Sequence, residues 1–158
     1  MTDVRIAGVG LTKFGSHPER TGRDLFAEAA LAAREDAGVS RDDYEELFYG
    51  NFMGELAEKQ GHQGPVMAEA AGLDCPATRY EQACASAGVA FRQAVATIRS
   101  GAADVVLAGG MERMNNLGTA EVTQSLAART AASASALTRS CSRKRCVHLS
   151  TLSWARRV

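Results

Sequence analysis

The chain reads as an α/β protein, a mixed and mostly parallel sheet with helices on both faces. Three observations predict this. Strand-like and helix-like stretches alternate as strand, helix, strand, helix, strand, helix, strand, the pattern of βαβ units. Ala103–Ala108 is a short apolar run of the kind found in strands covered on both faces. Glycines follow or interrupt the strand-like runs, at Gly50 and at Gly109-Gly110, where the backbone must turn or pass close to a neighbour.

The elements follow in order. Val4–Gly10 alternates apolar and small residues and predicts a first strand, followed by a glycine-rich turn through Gly15. Thr21 is placed as an N-cap, with Asp24 three residues on as its capping-box partner. The helix then runs over Gly22–Ala37, with Leu25, Phe26, Ala29, Ala30, Ala33 and Ala37 on one face and Gly38 at its end. Asp42–Glu46 reads as a solvated acidic turn. Adjacent Glu45 and Glu46 lack the fixed separation that paired acid/base carboxylates need. Leu47–Met53 is a second strand, broken by Gly50. Pro65–Ala71 is a short helix with proline in its first turn. His62, just before it, has no companion at ligand spacing. Thr78–Ala83 is a third strand, Cys84 a turn, and Ser86–Arg99 a helix presenting Val89, Ala90, Ala94, Val95 and Ile98. Gly101 stops that helix, and Ala103–Ala108 is the fourth strand.

Length and composition bound the function. A chain of 158 residues suffices for one domain with a real core. It holds no apolar run long enough to span a membrane and no secretory leader pattern, so a cytoplasmic location is expected. Cysteines 75, 84, 141 and 146 form no C-x-x-C pair and read as free thiols. Gly8 and Gly10 lack the third glycine of a dinucleotide-binding turn, and no metal site is expected. The balanced net charge hides a split: residues 1–126 sum to −7, and residues 127–158 carry seven basic residues and no acid.

Cys84 is the candidate for chemistry. A thiol at a strand-to-helix turn faces the positive end of the helix macrodipole, which favours thiolate. A nucleophilic cysteine needs that situation, although an inert buried cysteine also fits there. In parallel sheets functional groups gather at the carboxyl ends of strands. Cys84 and the Gly109-Gly110 turn both fall at such ends and are expected to face one crevice.

Glu81-Gln82-Ala83-Cys84-Ala85-Ser86-Ala87-Gly88, followed by Val106-Leu107-Ala108-Gly109-Gly110-Met111-Glu112-Arg113-Met114-Asn115, resembles the thiolase family. Gly8-x-Gly10 with Lys13-Phe14-Gly15 adds to the likeness, which covers Met1–Asn116. The likeness is greatest to the acetyl-CoA C-acetyltransferase, archaeal and SCP2-like branch. The resemblance implies an incomplete thiolase-like N-terminal domain over residues 1–125. It implies a thiolase-type acyltransferase acting on acyl-CoA or 3-oxoacyl-CoA, with Cys84 as nucleophile and Gly109 and Gly110 at the substrate turn. Coenzyme A thioesters are then substrates, with no further cofactor. It also implies a homo-oligomer and, as in archaeal relatives, a small OB-fold partner protein, with no role for nucleic acid or membrane.

The family's activating histidine, its Gly-His-Pro segment and its second catalytic cysteine have no counterpart after Asn116. His148 and Cys146 do not match them. The chain is therefore expected to be truncated and inactive alone. Residues 126–158 form a basic Ser/Ala/Arg-rich tail, expected to be out of frame or disordered. A related condensing enzyme (3-oxoacyl synthase or HMG-CoA synthase-like) and a non-catalytic interaction module are the alternatives.

Overall fold

A computed structural model describes residues 3–134. Cys141, Cys146, His148 and most of the basic tail lie outside the described residues. The elements are α1 (Gly22–Ala37), a single 3-10 turn at Arg41–Asp43, β1 (Glu46–Gly50), α2 (Gly54–Ala57), α3 (Gln63–Ala70), β2 (Ala77–Tyr80), α4 (Ser86–Ser100), β3 (Val106–Gly110) and α5 (Thr119–Ala134). They fall into two units, one ending at Leu117 and one beginning at Gly118. α5 belongs to the second unit and continues across position 125.

In the first unit β1 lies between β2 and β3, and both pairings are parallel. Parallel neighbours need long crossovers, which α2 with α3 and then α4 supply. Helices cover both faces. Leu47 and Tyr49 point to one side, among Phe26 and Ala30 of α1 and Met67 and Ala68 of α3. Phe48 points to the other, against Ala90 and Ala94 of α4. This period of two along a strand buried on both sides is the α/β signature. Phe26 meets Tyr49 edge-on with ring centres 5.1 Å apart.

α1 forms over the predicted residues. The Thr21 side chain accepts from Asp24 N and the Asp24 carboxylate from Thr21 N, closing the capping box. Gly38 ends the helix in the left-handed conformation at φ +64°.

Four expectations need correction. Val4–Gly10 forms no strand. The stretch lies along α1, so close that a Cβ on Gly8 would strike the Ala33 and Ala37 region and one on Gly10 the Ala29 carbonyl. Val9 N donates to Asp36 at 2.9 Å. No strand among the described residues offers it a ladder, and Ile6, Val9, Leu11 and Phe14 stay exposed.

The best-buried strand is β1, not β3. β3 begins three residues later than predicted and is half-buried, since it is the sheet's edge. The buried stripe of α4 is Ser86, Ala90, Ala94 and Thr97, whereas Val89, Val95 and Ile98 are half-buried. Small residues let this helix lie close on the sheet. Finally, the Glu45 carboxylate is not in a merely solvated turn: it accepts from the backbone N–H groups of Asp104 and Val105 and so fixes the entry to β3.

Candidate functional site

Cys84 lies between β2 and α4, on a turn that stands exposed at the carboxyl end of the sheet. Glycines make that placement possible. A Cβ on Gly50, the last residue of β1, would overlap the Ala87 backbone in the first turn of α4. A Cβ on Gly110, the last residue of β3, would overlap the Gly50 carbonyl and stand 3.4 Å from Ala87 Cβ. The strand ends and the amino end of α4 therefore meet at van der Waals distance. Gly110, at the end of β3, and the helix that Cys84 introduces are neighbours. Neither glycine has a positive φ; close approach is what Gly110 provides.

The turn itself is tightly bonded. Ser86, 3% exposed, accepts from Gln82 N at 2.8 Å and donates to Ala83 O at 2.7 Å. Ala83 N donates to Glu81 Oε1 at 2.7 Å. Ala83 sits at φ +48°, a region that non-glycine residues rarely enter. The N-cap residue of α4, Ala85, caps no amide with its side chain.

Glu112 has a role that sequence reasoning missed. Its carboxylate accepts from Phe52 N at 2.8 Å and Met53 N at 2.9 Å. Asn51, almost fully buried, donates to Met111 O at 2.6 Å and accepts from Gly54 N at 2.7 Å. These bonds tie the loop after β1 to the loop after β3. Arg113 pairs with Glu58 at 3.1 Å nearby. The signal was the glutamate two residues after Gly110 in the motif. Its partners lie about 60 residues away in sequence, so no local pattern names them.

Cys75, His17 and His62 are the other cysteine and histidines among the described residues. Cys75 is half-buried, and burial, then the carboxylates of Asp74 and Glu46, push its thiol pKa up. The His17 ring bonds to Lys13 O at 2.8 Å, and His62 precedes α3. A small cleft of about 120 Å³ opens between the Gly15–Pro18 loop and Glu112–Asn116, and Cys84 does not line it. Among the described residues no cluster of three His, Cys, Asp or Glu side chains could hold a metal ion, and no helix is long and apolar enough to cross a membrane.

A parallel sheet with helices on both faces and an exposed cysteine turn opening a tightly packed helix defines the class of architecture. The family model for the thiolase N-terminal domain matches residues 4–148. The chain belongs to the thiolase family and matches its N-terminal domain. An acetyl-CoA acetyltransferase of Methanocaldococcus jannaschii is 48% identical over 118 residues, covering 74% of this chain and 30% of that protein. One of Methanothermobacter thermautotrophicus is 42% identical over 118 residues, covering 74% and 31%. A mitochondrial acetyl-CoA acetyltransferase of Xenopus tropicalis is 29% identical over 125 residues, covering 74% and 29%. The chain thus spans about 30% of the length of these relatives.

Proposed function

We propose that the chain supplies the nucleophile of a thiolase-type acyl transfer from acyl-CoA thioesters. The observation that carries this reading is Cys84 exposed at the amino end of α4, where the carboxyl ends of β1 and β3 meet the helix, in a chain of this family. The Cys84 thiol gives its proton to solvent, and Sγ adds to the thioester carbonyl. The carbon–sulfur bond to coenzyme A breaks as the acyl–Sγ bond forms, and the departing CoA thiolate takes up a proton. A second thiol, or the α-carbon of acetyl-CoA, then receives the acyl group. Gly110 abuts the first turn of α4 beside this site, and Gly109 precedes it with its Cβ position toward Phe26.

The His17 ring bonds to Lys13 O and His62 precedes α3. Among the described residues no histidine hydrogen-bonds to Cys84 to give general-base help, which contributes roughly 10²–10⁴-fold, so acylation resting on these residues alone is expected to be slow. Incubation with radiolabelled acetyl-CoA tests the reading, with Cys84→Ala as control. Label on the wild type alone supports it. Equal label on both proteins removes Cys84 from the reaction.

A further inference from the structure

We propose that Glu81 and Ser86 are positioning residues for Cys84, a role that rests on the nucleophile reading above. The turn before Cys84 is held in a costly shape. Ala83 carries a side chain at φ +48°, a strain that persists only where the surroundings over-determine it. Three hydrogen bonds converge on this short turn. Ser86 Oγ bridges both sides of Ala83, accepting from Gln82 N and donating to Ala83 O. Glu81 Oε1 accepts from the Ala83 amide itself.

The two side chains do not have the same reason to be there. Ser86 is buried under the first turn of α4, whereas Glu81 is exposed. An exposed carboxylate folded back onto the amide of the residue before the cysteine adds little to the core. What it fixes is the direction in which the chain leaves Ala83, and so the place of Sγ. With Ala83 bonded at both its N–H and its carbonyl, Cys84 is presented on a rigid turn that meets the end of the sheet through Gly50 and Gly110. Without these bonds Ala83 relaxes to an ordinary negative φ, and the thiol swings away from the approach line of a thioester.

The test compares two reactions at residue 84 of the full chain, each read by mass spectrometry of the cysteine-bearing peptide. One is acylation by acetyl-CoA, which requires an oriented thiol. The other is alkylation by iodoacetamide, a small reagent that needs only an accessible one. Glu81→Ala and Ser86→Ala are expected to slow acylation by about tenfold or more, since a misplacement of about 1 Å can cost about 10²-fold. Their alkylation should stay within about twofold of wild type, because no such orientation is demanded. Glu81→Gln keeps the carbonyl acceptor without the charge and should restore acylation.

Glu81 is exposed, so its variants remain informative even if Ser86→Ala fails to fold. Wild-type acylation in Glu81→Ala overturns the positioning role. So does a parallel fall of both reactions that Glu81→Gln does not reverse. If the wild type takes no more label than Cys84→Ala, the nucleophile reading fails, and the positioning role fails with it.

Discussion

Two stretches of this chain combine apolar residues with glycine and end in opposite situations. Leu47–Gly50 is the centre of a parallel sheet, with Leu47 and Tyr49 fully buried. Val4–Gly10 lies outside any sheet, with Ile6 68% exposed and Phe14 just beyond it 84% exposed. Both use glycine to bring backbone against a helix: Gly50 against α4, and Gly8 and Gly10 against α1. The difference lies in the neighbours. β1 has a ladder on each side, and its backbone groups are satisfied by β2 and β3. The amino-terminal stretch has none among the described residues, so alternation alone does not make it a strand. The pleat pattern permits a strand, and a partner edge is what creates one.

Matched substitutions sharpen the comparison. Leu47→Ala should cost about 2–5 kcal/mol of unfolding free energy, whereas Ile6→Ala should stay within about 0.5 kcal/mol. Urea denaturation of the two variants measures both. If Ile6→Ala proves as costly as Leu47→Ala, the stretch is packed in solution and the contrast fails.

Gly50→Ala and Gly8→Ala add the same methyl group in the two places. At Gly50 it meets the Ala87 backbone of a helix bound to the sheet. A loss of about 3 kcal/mol is expected, at the upper end of overpacking costs. At Gly8 the exposed stretch can lift from α1, and about 1 kcal/mol or less is expected. Midpoints of thermal or urea unfolding decide between them.

Glu112→Ala probes what braces the end of β1. It leaves the Phe52 and Met53 amides without their carboxylate. Each hydrogen bond to the carboxylate lost in this part-buried site costs on the order of 1 kcal/mol or more, so a loss of about 2 kcal/mol is expected. Faster amide exchange confined to residues 51–54 would accompany it. Unchanged exchange there would show that the brace is replaced by water at no cost.

The mildest probe concerns α1, on which the amino-terminal stretch rests. Hydrogen bonds from the Thr21 backbone N–H and then the Thr21 hydroxyl hold the Asp24 carboxyl pKa below the ordinary range. A group whose folded pKa is lowered contributes stability above its unfolded value of about 3.9 and loses it as pH falls through the folded value. Wild type and Asp24→Asn should therefore differ near neutral pH and converge as pH falls through the lowered folded value. Helix content followed by circular dichroism checks this, and a gap that persists in acid contradicts it.

Much of this architecture was legible in the sequence because the signals were local. Thr21, Asp24 and Gly38 bracket α1 at its observed ends, since caps act within a few residues. The Cys84 turn and the start of α4 were legible for the same reason. What was not legible depends on distant partners. The fate of Val4–Gly10 depends on which strand edge is offered to it. The half-burial of β3 depends on its place at the sheet's edge. Glu112 and Asn51 meet across about 60 residues of sequence, and the small buried stripe of α4 follows from how close Gly50 lets the helix come.

The central claim is that Cys84, and not merely any thiol of this chain, takes the acyl group. Cys84 is exposed on its bonded turn, whereas Cys75 is half-buried with its pKa pushed up by burial and neighbouring carboxylates. Peptide mapping of the acetyl-CoA-treated protein tests this most directly. The account predicts the acetyl group on Cys84 with Cys75 unmodified, and an acetyl group on Cys75 or spread evenly over the cysteines would contradict it.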